Sequence, residues 1–305
     1  MEFVRAAYEV ARKDFLQHVR TKRLLVIGIF FIVVLQIVTM VIPLAFGIAD
    51  DDPPSGSPSR ENEMFFFHLN ASFFGGLFAI QLLCIVLTAD AVCSEWGNRT
   101  IFLLLSKPVS RTAFVVGKYL GSLASILPLV LVIYLLQYFL MMAIYAGQPT
   151  GDEVSGFFQM LGMLVLGSMA IASVALFLST LTRSTVMALV LCLLTAIILL
   201  PLLSMIGDIT LIVDEVNQDQ SDGDFQPPDL DSWRYDWSHY FPGSALNSAP
   251  SKLMPGQGDD YVGAFSGLIP QSAPQRPLLS AFSGLAYTAL FVGLSILRVN
   301  KRNFE

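Results

Sequence analysis

Six stretches of this chain are long and apolar enough to cross a lipid bilayer, at about residues 24–48, 64–91, 115–146, 156–181, 185–207 and 278–298. A helix needs roughly 20 apolar residues to cross the hydrocarbon, and there it satisfies its own backbone polar groups internally. Charge is too scarce for a soluble alternative. The chain is 14% charged and 54% hydrophobic, whereas a soluble domain carries about 25% charged residues. The sequence therefore specifies an all-α polytopic membrane protein, one membrane domain over residues 1–305 with six transmembrane helices.

The basic residues give the orientation. With both termini cytoplasmic, 14 of the 18 Lys and Arg lie inside, and Arg60, Arg234, Lys252 and Arg276 lie outside. The acids divide the other way, 6 inside and 18 outside, so the inner side carries 14 − 6 = +8 and the outer side 4 − 18 = −14. An excess of Lys and Arg on the cytoplasmic side is what fixes topology. The expected place is the inner or plasma membrane of the cell.

Residues 1–23 precede any span. Phe3, Ala7, Ala11 and Phe15, with Val4, Tyr8 and Val19 beside them, recur at helical spacing, while Arg5, Arg12, Lys13 and Arg20 fall elsewhere. That pattern predicts an amphipathic helix in the inner headgroup layer; a helix packed in water on a neighbour is the competing reading. A large outer loop, 208–277, carries eleven acids and three basic residues between spans five and six. Within it, Asp229 or Asp231 is placed to cap a short helix, with Trp233, Trp237, Tyr240 and Phe241 on one face. Such aromatics favour the membrane–water boundary.

Several chemistries are missing. No G-x-x-x-x-G-K-[ST] loop occurs to cradle a nucleotide, and no H-E-x-x-H, paired-cysteine or G-x-S-x-G motif is present. Cys84, Cys93 and Cys192 avoid the long outer loop and read as small buried hydrophobes. The spans hold almost no ionisable group at mid-membrane, where ion-coupled carriers place them. Methionines in the spans fill apolar helices and need no metal to explain them. The chain is expected to be no enzyme, to hold no cofactor or metal, and to bind no nucleic acid.

What remains distinctive is the polar connector 92–114 between spans two and three. It reads Glu95, then Thr100-Ile101-Phe102-Leu103-Leu104-Leu105-Ser106-Lys107-Pro108-Val109-Ser110-Arg111, followed by Gly117-Lys118. This run resembles the inner loop of type 2 ABC transporter permeases, which has a Glu, Gly-Thr-Leu, a leucine run, Ser-x-Pro-Val-Ser-Arg and Gly-Lys. The likeness is greatest to the branch linked to maturation of multicopper enzymes and nitrous-oxide reductase. Arg99 stands where the family's glycine precedes the threonine, with Gly97 two residues earlier. The Leu-Ser-Thr-Leu-Thr-Arg-Ser turn at 178–184 extends the resemblance.

The resemblance implies a transmembrane subunit that pairs with a second permease copy or homologue and docks an ABC ATPase, which binds the ATP and Mg²⁺. Residues 92–114 would form the coupling loop, with Glu95, Arg99, Thr100, Ile101, Phe102, Leu105, Lys107, Pro108, Arg111 and Lys118 as the coupling residues. Ile101, Phe102 and Leu105 give a short helix an apolar face to bury; Arg99, Lys107 and Arg111 can pair with acids on a partner. Glu95 and Arg99 are spaced i,i+4 and can brace each other. A second reading makes the chain a mechanical scaffold that passes ATPase motion to an extracytoplasmic protein docked on 208–277, with nothing transported.

Overall fold

The computed structural model describes residues 2–22, 24–34, 80–97, 110–145, 151–199 and 277–301, and all of its regular structure is helical. In chain order these are α1 (Glu2–Arg20), α2 (Leu24–Val34), α3 (80–88), α4 (Cys93–Gly97), α5 (Arg111–Tyr145), α6 (Gly151–Leu181), α7 (Thr185–Leu194) and α8 (Pro277–Lys301). A π-helical turn, Thr195–Leu199, continues α7. Among the described residues four segments are long and apolar enough to cross a membrane: Ile80–Gly97, Arg111–Leu136, Phe157–Leu181 and Leu278–Lys301. The shorter α2 and α7 begin where the first and fifth spans were expected, and the remainder of those spans lies outside the described residues.

The core sits between α3, α5 and α6. Leu83 and Leu87, Ile126 and Ile133, and Leu164 and Leu176 are all buried there. A Tyr119 hydroxyl donates to the Met169 carbonyl oxygen at 3.0 Å and so ties α5 to α6. Helix α8 lies along α6, with Phe291 beside Phe177 at 5.6 Å between ring centroids. Only 22% of its apolar window is buried, leaving Leu278, Phe282, Leu290 and Leu297 bare. Lipid is the solvent in which that much apolar surface costs nothing.

Helix α5 has 35 residues, about 52 Å at the helical rise against a hydrocarbon layer of about 30 Å. Its first turns therefore have length to spare, and α1 packs on them. Ala7 and Val10 meet Gly117, Ala11 and Asp14 meet Gly121, and His18 meets Ser125. The contacts advance together along both helices, so the two run parallel.

Glycine is what permits this approach. An ideal Cβ on Gly117 would stand 2.7 Å from the Ala7 carbonyl oxygen, and one on Gly121 2.9 Å from that of Ala11. The G-x-x-x-G spacing is thus occupied, with small residues letting backbones close up. The buried stripe of α1 is Ala7, Val10, Asp14 and His18, while Phe3, Val4, Tyr8 and Val19 are exposed. The apolar stripe read from the sequence is therefore split: its Ala7 edge turns to α5, and the larger side chains stay uncovered.

Candidate functional site

The connector leaves the second span through a break. Helix α3 ends at residue 88, a turn covers 89–92, and α4 starts at Cys93. A new helix start exposes backbone N–H groups that need an acceptor. Here Ser179 Oγ, near the end of α6, accepts from both Val92 N and Cys93 N at 3.1 Å. One serine from the 178–184 turn thereby fixes the direction in which α4 departs.

The other end of the connector is capped in the usual way. Ser110 Oγ accepts from Ala113 N at 3.2 Å, the position three residues on that an N-cap serves. Arg111 then reaches across to α8, where its Nη1 donates to the Asn300 carbonyl oxygen at 2.9 Å. A cation at a helix C-terminus meets both an unpaired carbonyl and the negative end of the helix dipole.

Between these two anchors lies a cluster of four charges from three helices. Lys118 Nζ stands 2.6 Å from Asp14 Oδ1 and 3.2 Å from Glu95 Oε1, and Lys13 Nζ stands 3.1 Å from the same Glu95 oxygen. Their burial is uneven and that matters. The side chains of Lys118, Asp14 and Glu95 are 3%, 5% and 7% exposed, whereas that of Lys13 is 51% exposed. Among the described residues two acids face two bases, and pairing of this kind is the condition for holding charges out of water. Removing one member of such a pair strands the other, at about 3–5 kcal/mol.

One turn further along both helices, His18 Nδ1 and Ser125 Oγ are 3.0 Å apart. Ser125 Oγ also donates to the Gly121 carbonyl oxygen at 3.2 Å. Polar groups on the buried stripe of α1 thus answer polar or small groups on α5 at each step.

Of the coupling residues expected from the sequence, Glu95, Arg111 and Lys118 are described, and all three frame the connector. Lys118 is buried and faces Asp14 and Glu95, so any part it has in coupling runs through them and not through direct contact. Glu95 pairs with Lys13 and Lys118, and the brace expected between it and Arg99 lies outside the described residues. Arg99, Thr100, Ile101, Phe102, Leu105, Lys107 and Pro108 lie outside the described residues, as do Trp233, Trp237, Tyr240 and Phe241. The sequence reading missed Lys13, Asp14, His18, Ser179 and Asn300. A signal for two of them was present: Asp14 and His18 fall on one helical stripe with Ala7, which Gly117, Gly121 and Ser125 match at spacings of four.

The contacts described above form one unit. It is a clamp, joining the start of the chain, both ends of the connector and the last helix. Comparison with curated proteins gives no match. The family model described as ABC-2 family transporter protein matches residues 8–304, from within α1 to beyond the end of α8, and the chain belongs to that family.

Proposed function

We propose that this permease subunit is driven by a separate ABC ATPase that grips residues 92–114 on the cytoplasmic side. The ATPase binds ATP and Mg²⁺, two permease chains (copies or homologues) meet in the bilayer, and closure of the ATPases repacks the spans to move a substrate. Charge distribution supports the orientation, since the basic residues gather on the connector's side.

One observation carries the reading. The connector is anchored at both ends, at Glu95 by two lysines and at Arg111 by the end of α8. A displacement that reaches those anchors is passed on to α1, α5 and α8. Ile101, Phe102 and Leu105 supply the apolar face for the ATPase groove, with Arg99 and Lys107 paired to its acids.

The test is purification of the tagged chain from its native membrane in mild detergent. Vanadate-sensitive ATP hydrolysis should accompany the wild type and be lost with Ile101→Asp and Phe102→Asp. A wild-type sample with no such activity would end the reading.

A further inference from the structure

A buried ion cluster at this junction needs a reason, because hydrophobic side chains of similar volume hold helices together at least as well. Its members come from three elements: α1, the short α4 at the mouth of the connector, and the third turn of α5. Asp14 and Lys118 are 104 residues apart in sequence, and Glu95 and Lys13 are 82 apart. The helices that carry Asp14 and Lys118 are already in backbone contact through Gly117 and Gly121. The packing of glycine faces sets the distance between α1 and α5 but leaves them free to slide. Charges at 2.6 and 3.2 Å select one register, since a one-residue slip strands a buried charge.

We infer that Asp14 and Lys118 are positioning residues for coupling: together with Glu95 they lock α1 in register with the connector, so that α1 moves when the connector is driven. The inference rests on the coupling role proposed for the connector. It assigns α1 a share in the working stroke. Lys118 is the shared cation, and Glu95 is the member that reports the state of α4. Lys13 sits at the water-facing end of the cluster, so Glu95 keeps a partner even when Lys118 is gone.

The geometry sets α1 alongside α5 as the element that carries the motion. Its charged stripe faces one way, its register residues face α5, and Val4, Tyr8 and Val19 are left uncovered. Movement of the connector then shifts an apolar edge along the bilayer, where lipid packing responds to it.

The experiment uses the chain purified with its co-purifying ATPase, with spin labels on introduced cysteines and distances read by pulsed electron paramagnetic resonance. Cys84, Cys93 and Cys192 are buried, so labelling falls on exposed replacements. One pair, Tyr8→Cys with Leu120→Cys, spans α1 and α5; a second, Tyr8→Cys with Val186→Cys, spans α1 and α7. Trapping with ATP and vanadate should leave the first distance unchanged and shift the second. The neutral variant Asp14→Leu/Lys118→Met keeps the Lys13–Glu95 pair and removes the register charges. It should remain folded, bind the ATPase and hydrolyse ATP, but lose the shift of the second pair and broaden the first. Lys118→Arg, which keeps the charge, should retain both wild-type readings. An α1 that stays fixed relative to α7 in the wild type overturns the inference, as does a neutral variant that still shifts. Absence of any ATPase from the wild-type complex is a different failure, that of the coupling role itself.

Discussion

Arg111 Nη1 donates to the Asn300 carbonyl oxygen, so the last helix of the chain ends on the first residue of α5, 189 positions earlier. The contact places the connector's exit beside the end of α8. Arg111→Ala should cost about 0.5–1 kcal/mol, the worth of a cation at a helix C-terminus. Hydrogen exchange should quicken in the last turn of α8, with Arg111→Lys recovering part of the protection. Unchanged exchange in that turn would show that the contact holds nothing.

The glycines of α5 separate close packing from ordinary helix propensity. Gly117→Ala puts a methyl 2.6 Å from Val10 Cβ and 2.7 Å from a backbone oxygen, an overpacking worth about 1–3 kcal/mol. Gly162 and Gly293 have nothing within 4 Å, so alanine there should stabilise by about 0.5–1 kcal/mol, the cost glycine carries inside a helix. Thermal unfolding in one detergent should order the variants accordingly. Equal effects at Gly117 and Gly162 would contradict the packing of α1 on α5.

Ser179 serves two buried N–H groups at once. Ser179→Ala leaves both without an acceptor and should cost about 1–3 kcal/mol, loosening the 89–92 break. Cys93 lies at that break and is buried, so its reaction with a thiol reagent should accelerate in the variant, while Cys84 stays protected. Ser179→Thr keeps the oxygen and should behave as the wild type.

These tests divide along a line that also separates what was legible in the sequence from what was not. Span positions were readable because burial in lipid demands long uninterrupted runs, and α5, α6 and α8 fall where those runs fall. A motif singled out Glu95 and Arg111, and both are anchored in the structure. The face of α1 was not readable. Hydrophobic periodicity put Phe3, Ala7, Ala11 and Phe15 on one side with Val4, Tyr8 and Val19 beside them. Of these Ala7 is buried, and α1 packs through Ala7, Val10, Asp14 and His18, because α5 offers glycines, a lysine and a serine there. Burial followed complementarity between two helices more than 100 residues apart, and a local pattern holds only half of such a pair. The lysines that meet Glu95 were hidden for the same reason: they are 82 and 23 positions away, and no local pattern points to them.

The uncovered stripe of α1 predicts where the helix lies. Tyr8 is 62% exposed beside Val4 and Val19, and α1 runs alongside the membrane-crossing α5, so lipid is the expected cover for these side chains. With the other tryptophans replaced by phenylalanine, a Tyr8→Trp reporter in nanodiscs should be quenched by brominated lipids. Quenching should be strongest for bromines placed near the headgroup. A reporter quenched by aqueous iodide and untouched by brominated lipid would place the stripe in water.

The central claim is that the connector is the surface through which this permease is driven. Its most direct measurement is site-specific photo-crosslinking in the native membrane. A benzophenone side chain at Phe102 should capture an ATP-binding chain of ABC ATPase type, and one at the bare α8 residue Leu290 should capture lipid or a second permease chain. Capture of an ATPase at Leu290 and none at Phe102 would contradict the account.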